Sequence, residues 1–244
     1  ISLDQERGRV AIEPGDELLL GHPTRAVALR IATFDAGHAV ASTLAEVEST
    51  AGQEALARHF PAGSGSPATV VGPADELETC GVFFVQTINS ASKRCWIVSP
   101  YFVPDQAVLQ ALQLAALRGV DVRILLPAKP DHRTVHLATV SYYPNTLPAG
   151  IKLYRYTAGF LHQKVFLVDR HCAAVGTANL DNRSFRLNFE LTYLNYDATF
   201  VQAVEAMLTE DFAHSRLVAL SEYTERNFGF RLISRTARLL APIL

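Results

Sequence analysis

An α/β fold with a mostly parallel sheet, covered by helices on both faces, is what this sequence predicts. Three observations carry the prediction. Apolar, strand-like runs alternate with helical repeats from Cys95 to Tyr156 on compact connections. The chain is 49% hydrophobic and 19% charged, the balance of a globular protein with a real core. Its 244 residues suit one large α/β domain, or one domain with an appendage.

Residues 1–60 carry the weakest pattern. Arg9–Ile12 is a short candidate strand and Leu18–Leu20 a second apolar patch. Val40, Leu44, Val47 and Leu56 are spaced for one or two helices, with Gly52 interrupting. His22, His38 and His59 have no carboxylate or cysteine at ligand spacing, which favours surface or core histidines. Pro61–Pro67, PAGSGSP, reads as a linker or exposed loop. The expected division is therefore 1–70 as an N-terminal segment with its linker, 71–217 as the main domain and 218–244 as a basic amphipathic tail.

The pattern is strong past residue 70. Asp75 and Glu78 suggest a capping-box start for a helix that lines up Leu77, Gly81, Phe84, Val85 and Ile88. Cys95–Val98 is a short buried strand, followed by the aromatic and proline-rich loop Ser99–Pro104. Such a loop, at the carboxyl end of a strand, is where open α/β sheets bind ligands, and ordinary turn packing explains it equally well. Asp105 opens a second helix, with Val108, Leu109, Leu112 and Ala116 on one face and Gly119 to end it. Val120–Leu126 is the next strand. Pro130-Asp131 opens a third helix through Val135, Leu137, Ala138 and Tyr142, which Pro144 and Pro148 break. Ile151–Tyr156, Phe160–Asp169, Cys172–Thr177 and Phe189–Tyr196 are further strands. Phe200–Leu217 is an amphipathic helix with Val201, Val204, Met207, Leu208 and Phe212 facing inward. In the tail from Phe228, Arg231, Arg235 and Arg238 share one helical face, which fits either a packed terminal helix or a helix lying on a membrane surface.

Composition excludes several functions. A net charge of −2 offers no basic field for nucleic acid. Cys80, Cys95 and Cys172 lie in apolar surroundings without CxxC spacing, so buried reduced thiols are expected rather than disulfides or zinc ligands. No apolar run is long enough to span a membrane, and no signal peptide is visible. The chain starts at Ile1 rather than Met, which fits a fragment. There is neither a GxxxxGK[ST] nor a GxGxxG loop, and no cofactor or metal site is expected.

The chemistry concentrates in Gly159–Glu190. His162 and Lys164 are two residues apart, so on a strand they project to the same side, whereas Asp169 has the opposite parity and suits an orienting or structural role. Thr177 and Asn179 follow just past the adjacent strand, within reach of the same pocket. An imidazole can act as nucleophile or general acid near neutral pH. A lysine and an asparagine beside it can hold phosphoryl oxygens as charge reorganises. Glu190 could fix the tautomer of an imidazole, the chain's own or a partner's. A lone H-x-K arises by chance on a solvated strand; H-x-K, D, G-T-x-N and E at these offsets is far more specific.

That constellation resembles the phospholipase D superfamily, whose signature is HxKx4D followed by GSxN. The wider text is similar to bacterial cardiolipin synthases of that type, through Ser99–Asp105, Ala115–Val122, Gly159–Lys164 and Asn179–Glu190. The resemblance runs from about Val70 to the C-terminus. It implies an α/β/α sandwich with a mostly parallel mixed sheet, and a site shared between two such halves. One histidine attacks phosphorus to give a phosphatidyl-histidine; the other protonates the leaving alcohol and then activates the incoming one. Carried over, His162 is nucleophile or acid/base, Lys164 and Asn179 bind phosphate, Asp169 supports, and Thr177 stands in the usual serine position with its hydroxyl retained. The implied substrate is a phosphatidylglycerol-like phospholipid, met at the cytoplasmic face of a bacterial membrane. The family's synthases carry two HKD motifs and a membrane-spanning N-terminus. None of the other histidines here begins an H-x-K. The chain therefore reads as a second half, with residues 1–70 a remnant of the first, or as one copy of a pair that joins its motifs across a symmetric interface.

Overall fold

The computed structural model describes residues 78–243, together with five earlier strands: β1 (Ser2–Asp4), β2 (Arg9–Ala11), β3 (Glu17–His22), β4 (Arg25–Arg30) and β5 (Ala68–Val71). The helices expected between residues 35 and 60, the linker 61–67, and Asp75 and Leu77 lie outside the described residues. The chain forms two compact units, Ile1–Gly65 and Ser66–Leu244. In the first, β1 pairs antiparallel with β2, and β3 with β4. The strand expected at Arg9 is β2, and Leu18–Leu20 lies inside β3.

The second unit continues as α1 (Thr79–Ser90), β6 (Arg94–Val98), β7 (Phe102–Val103), α2 (Gln106–Leu117), β8 (Asp121–Pro127), α3 (Arg133–Ser141), α4 (Tyr143–Thr146) and β9 (Lys152–Tyr156). There follow β10 (Val165–Val168), β11 (Cys172–Gly176), β12 (Leu180–Asp181), α5 (Asn182–Arg186), β13 (Glu190–Asn195), α6 (Ala198–Ala213), β14 (Ser215–Leu217), α7 (Ser221–Thr224) and α8 (Phe228–Arg238). Eight of these strands make one sheet in the order β14-β9-β8-β6-β10-β11-β13-β5. The sheet is mixed. β5, β6, β8, β9 and β11 share a direction, yet the parallel neighbours are only β6–β8 and β8–β9, the two βαβ crossovers read from the sequence. The remaining pairings are antiparallel.

Alternating side chains face two helical layers. Cys95, Ile97, Val122, Ile124, Phe166 and Ala174 join the core with Phe84, Ile88, Leu109 and Leu112 of α1 and α2. On the other face Trp96 and Tyr154 pack edge-on to Phe212 of α6. Sandwiching the sheet this way leaves Ile97, Ile124, Leu112, Leu153 and Leu167 almost wholly buried, each contributing about 1.5–3 kcal/mol. Cys80, Cys95 and Cys172 are buried free thiols, as composition suggests. Among the described residues no helix is long and apolar enough to cross a membrane.

Helix starts follow local chemistry. Asp105 accepts from the Val108 amide at 2.8 Å to cap α2, and Asp197 does the same for Phe200 of α6 at 2.9 Å. Glu78 departs from the expected capping box: it makes no capping bond and instead pairs with Arg186 Nε at 3.0 Å. The third helix opens at Arg133, later than expected, because the Asp131 carboxylate is held by Tyr101 and the His132 amide. Pro144 sits in the first turn of α4, and a 3-10 turn through Pro148 ends at Gly150 in the left-handed region, so the two prolines do break the helix. The long helix expected to Leu217 ends at Ala213, and Ser215–Leu217 forms an edge strand instead.

One correction bears on the site. The strand expected over Phe160–Asp169 is only Val165–Val168. Its partner β6 leaves the sheet after Val98, where Val165 is the last residue it pairs, and Pro100 has no amide to extend a ladder. His162 and Lys164 therefore lie in the loop that enters the strand.

Candidate active site

The site forms where β6 and β10 meet at their open ends. Past Val98 the Ser99 hydroxyl ties three segments together. It donates to the Tyr101 carbonyl at 2.8 Å and accepts from the Leu180 amide at 3.0 Å. The short parallel pair β7–β12, Phe102 with Leu180 and Val103 with Asp181, clamps the aromatic loop beside the G-T-x-N segment. The Asn182 amide group donates to the Val103 carbonyl at 3.2 Å.

His162 is exposed at the mouth of this junction. Its ring stacks on Phe160 at 5.7 Å and meets the edge of Tyr101 at 6.5 Å. Lys164 Nζ lies 2.8 Å from His162 Nδ1 and donates to the His162 carbonyl at 2.9 Å. The two residues thus do project together, through a local loop contact rather than strand parity. Burial and then the Lys164 cation lower the pKa of His162, with Asp131 opposing, so the imidazole is neutral near pH 7. Burial lowers the pKa of Lys164, and Glu190, Asp131 and Asp181 offset part of that.

Glu190 is buried at 6% exposure and accepts three side-chain bonds. They come from Thr177 Oγ1 at 2.5 Å, Ser184 Oγ at 2.9 Å and Asn188 Nδ2 at 3.0 Å. It does not hold the His162 ring; it acts on the site as the negative charge beneath Lys164. Thr177 gives its hydroxyl proton to Glu190 and accepts from the Leu191 amide at 3.0 Å, so its hydroxyl braces the carboxylate. Asn179 donates its backbone amide to Ser184 Oγ, while its side-chain oxygen is buried without a hydrogen-bond partner. Gly176 makes this convergence possible: a methyl group there would run into the Leu191 carbonyl oxygen and Thr192.

Asp169 stands apart, at the far end of β10. It adopts a φ of 50° in the turn and receives the amides of Ser92, Lys93 and Arg94 at 3.0, 2.8 and 2.8 Å. Burial would raise its pKa, but these bonds and His171 outweigh that and hold it below the usual range. The structure joins His162 to Lys164, sets Glu190 against Lys164 electrostatically, ties Thr177 to Glu190 directly and Asn179 to it through Ser184, and leaves Asp169 as a latch between β10 and the start of β6.

Several residues escaped the sequence reading. Asp131 accepts from the Tyr101 hydroxyl at 2.6 Å and faces both His162 and Lys164 electrostatically. Asp181 is buried, caps α5 through the Ser184 amide at 2.7 Å, and has its pKa pushed up to about 6 by burial. Ser184 and Asn188 complete the Glu190 network. Ser184 and Asn188 sit in the NLDNRSFRLNFE phrase, so a signal was present; Asp131 had none beyond opening a helix. Among the described residues no group of three or more His, Cys, Asp or Glu side chains is placed to hold a metal ion.

The fold is that of the phospholipase D superfamily. The solved structures it resembles include the phospholipase D family member Nuc from Salmonella typhimurium, at TM-score 0.53 and 21% identity over 63% of this chain and 98% of that one. Phosphatidylserine synthase from Haemophilus influenzae gives TM-score 0.58 and 16% identity over 73% of this chain and 48% of that one. The profile of the family described as "Cardiolipin synthase, PLD-like domain" matches residues 84–212. Cardiolipin synthase A of Pseudomonas aeruginosa PAO1 is 57% identical over 173 residues, and that of Pseudomonas putida W619 is 54% identical over the same length. Each alignment covers 71% of this chain but only 35% and 36% of the relative, so the chain spans about a third of the length of the relatives it matches. The chain belongs to the phospholipase D-like cardiolipin synthase family.

Proposed function

We propose that this chain carries one half of a phosphatidyltransferase site that makes cardiolipin from phosphatidylglycerol through a phosphatidyl-histidine intermediate. The observation that carries the reading is the His162–Lys164 contact, backed by the buried Glu190 and set in a family of cardiolipin synthases. With Lys164 as ammonium, His162 Nδ1 is the acceptor and the ring proton resides on Nε2. That tautomer is a proton carrier, so His162 is assigned the acid/base role rather than the attack on phosphorus. It hands its Nε2 proton to the leaving alcohol oxygen as the phosphorus–oxygen bond breaks, while Lys164 passes a proton to Nδ1 so that the ring stays neutral. Nε2 then takes the proton of the incoming alcohol as that oxygen displaces the phosphohistidine, and the Nδ1 proton returns to Lys164. The nucleophilic histidine comes from a second HKD half or a second copy of this chain. Lys164 and Asn179 bind the non-bridging phosphoryl oxygens, Thr177 and Glu190 set the position and charge of Lys164, and Asp169 supports the strand on which the motif rests.

The substrate is a phospholipid headgroup met at the cytoplasmic face of the bacterial membrane, with the chain peripheral there. Hydrolysis differs from transfer only in which hydroxyl reaches the intermediate. The open position of His162 would admit water as well as an alcohol, which keeps a phospholipase D-type hydrolase as the second reading. The test is the mass of the purified chain in solution, together with phosphatidylglycerol turnover by wild type and His162→Ala. Cardiolipin production by a dimer, reduced at least about 100-fold in the variant, supports the proposal. Phosphatidic acid alone supports hydrolysis. A monomer without turnover overturns both for the isolated chain.

A further inference from the structure

Helix α8 is packed the wrong way round for an ordinary core helix. Its contact with the protein is made by small residues: Ser234 and Ala237 are buried as it packs on α3, with Ala241 just beyond and Phe230 half-buried. Phe230 apart, its large apolar side chains are exposed. Phe228 is 72% exposed, Leu232 52%, Ile233 56% and Leu239 77%. At about 100° per residue, Phe228, Leu232 and Leu239 fall within about 40° of one another, opposite the buried face. Ile233 and Leu240 widen the same apolar sector on one side. Arg231, Arg235 and Arg238 make a basic sector on the other.

The arginines divide by role. Arg238 fixes the helix to the protein, lying 4.0 Å over the Tyr142 ring and donating to Asn145 Oδ1 at 3.0 Å. Arg235 is exposed, with Nε 3.3 Å from the Tyr223 hydroxyl, and Arg231 is half-buried beside it. The helix is thus held in place by its small face and by Arg238, while an apolar stripe with a cationic flank is presented outward.

We infer that this outward face of α8 lies on an anionic lipid surface, with Phe228, Leu232, Ile233 and Leu239 entering the headgroup boundary and Arg231 and Arg235 meeting lipid phosphates. An apolar stripe beside a basic one, on a helix of low mean hydropathy, is the pattern of an interfacial helix. The basic flank selects an anionic lipid over a neutral protein surface. The inference deepens the proposed function by naming the surface through which the chain reaches its lipid, and it stands on α8 alone, remote from His162 in chemistry.

The experiment is vesicle co-sedimentation of the 244-residue chain, with phosphatidylcholine vesicles and with vesicles containing phosphatidylglycerol. The wild type is expected on the anionic vesicles, released by salt. Phe228→Ser/Leu232→Ser/Leu239→Ser should weaken binding about tenfold or more at unchanged melting temperature, because these side chains are already exposed. Arg235→Glu should weaken binding to the anionic vesicles only. Undiminished vesicle binding by the triple variant would overturn the inference. So would a triple variant that turns a dimer into a monomer while binding vesicles as before, since a second copy would then be the occupant. Turnover of phosphatidylglycerol in detergent micelles separates the two readings. If wild type shows none there, yet vesicle binding follows α8, the lipid surface stands and the enzymatic reading falls.

Discussion

At the scale of single residues, the site is an arrangement of charges around one exposed imidazole. Lys164 disfavours the imidazolium form of His162 and Asp131 favours it, and Asp131 is kept ionised by the Tyr101 hydroxyl and the His132 amide. Replacing Asp131 by Asn removes the favouring charge, so the His162 pKa falls further. The limb of the pH–rate profile that His162 controls should then move to lower pH, and the His162 ring resonances should titrate lower by NMR. Tyr101 faces the same ring, and Tyr101→Phe frees the Asp131 carboxylate without removing its charge. A profile unchanged in Asp131→Asn would show that Asp131 does not act on this histidine.

Among the elements, the latch at Asp169 is the clearest mechanical part. One carboxylate gathers three consecutive amides at the start of β6, and Asp169→Ala leaves those amides unpaired. A loss of about 1.5–3 kcal/mol in unfolding free energy is expected, measured by denaturant titration, with turnover by the folded fraction retained. The sign with pH follows from its depressed pKa. The contribution is full above the unfolded carboxylate value of about 4 and is lost as pH falls through the lower folded value. Strand parity in the sequence sets Asp169 apart from His162 and suggests an orienting or structural role. That parity assumes a strand through His162 that β10 does not form, since the ladder stops where β6 turns away before Pro100. The crossovers β6-α2-β8-α3-β9 were legible because helical and strand periods differ strongly there. The bracing of Glu190 by Thr177, Ser184 and Asn188 was not. Those contacts join residues across a turn, and no periodicity marks which hydroxyl meets which carboxylate. The end of α6 differs for the opposite reason: Ser215–Leu217 continues a helical pattern, but pairing with Tyr154–Tyr156 satisfies an open sheet edge.

For the molecule as a whole, one HKD motif is half of the proposed chemistry. If two copies supply the two histidines, specific activity depends on chain concentration and falls on dilution below the dissociation constant of the pair. A plot of activity per chain against concentration over several decades should rise and then level. A flat line at the lowest concentrations would mean that one chain suffices. The core of the unit Ser66–Leu244 is formed by its own sheet and helices, so dissociation should lower activity without unfolding that unit.

Gly176 carries a consequence for which changes this protein can accept. Most positions around a carboxylate tolerate some traffic of side chains, since a neighbour can swing aside. Here the obstacle is the backbone of β13 itself, which passes over Gly176 at the point where Thr177 reaches Glu190. In a saturation library scored for turnover, position 176 should return glycine alone. Alanine there, one added methyl group, should cost more activity than Thr177→Ser, which removes one methyl group and keeps the hydroxyl on Glu190. Position 176 is thus closed to any side chain, because its bareness keeps two strands close enough for the hydroxyl to touch the acid.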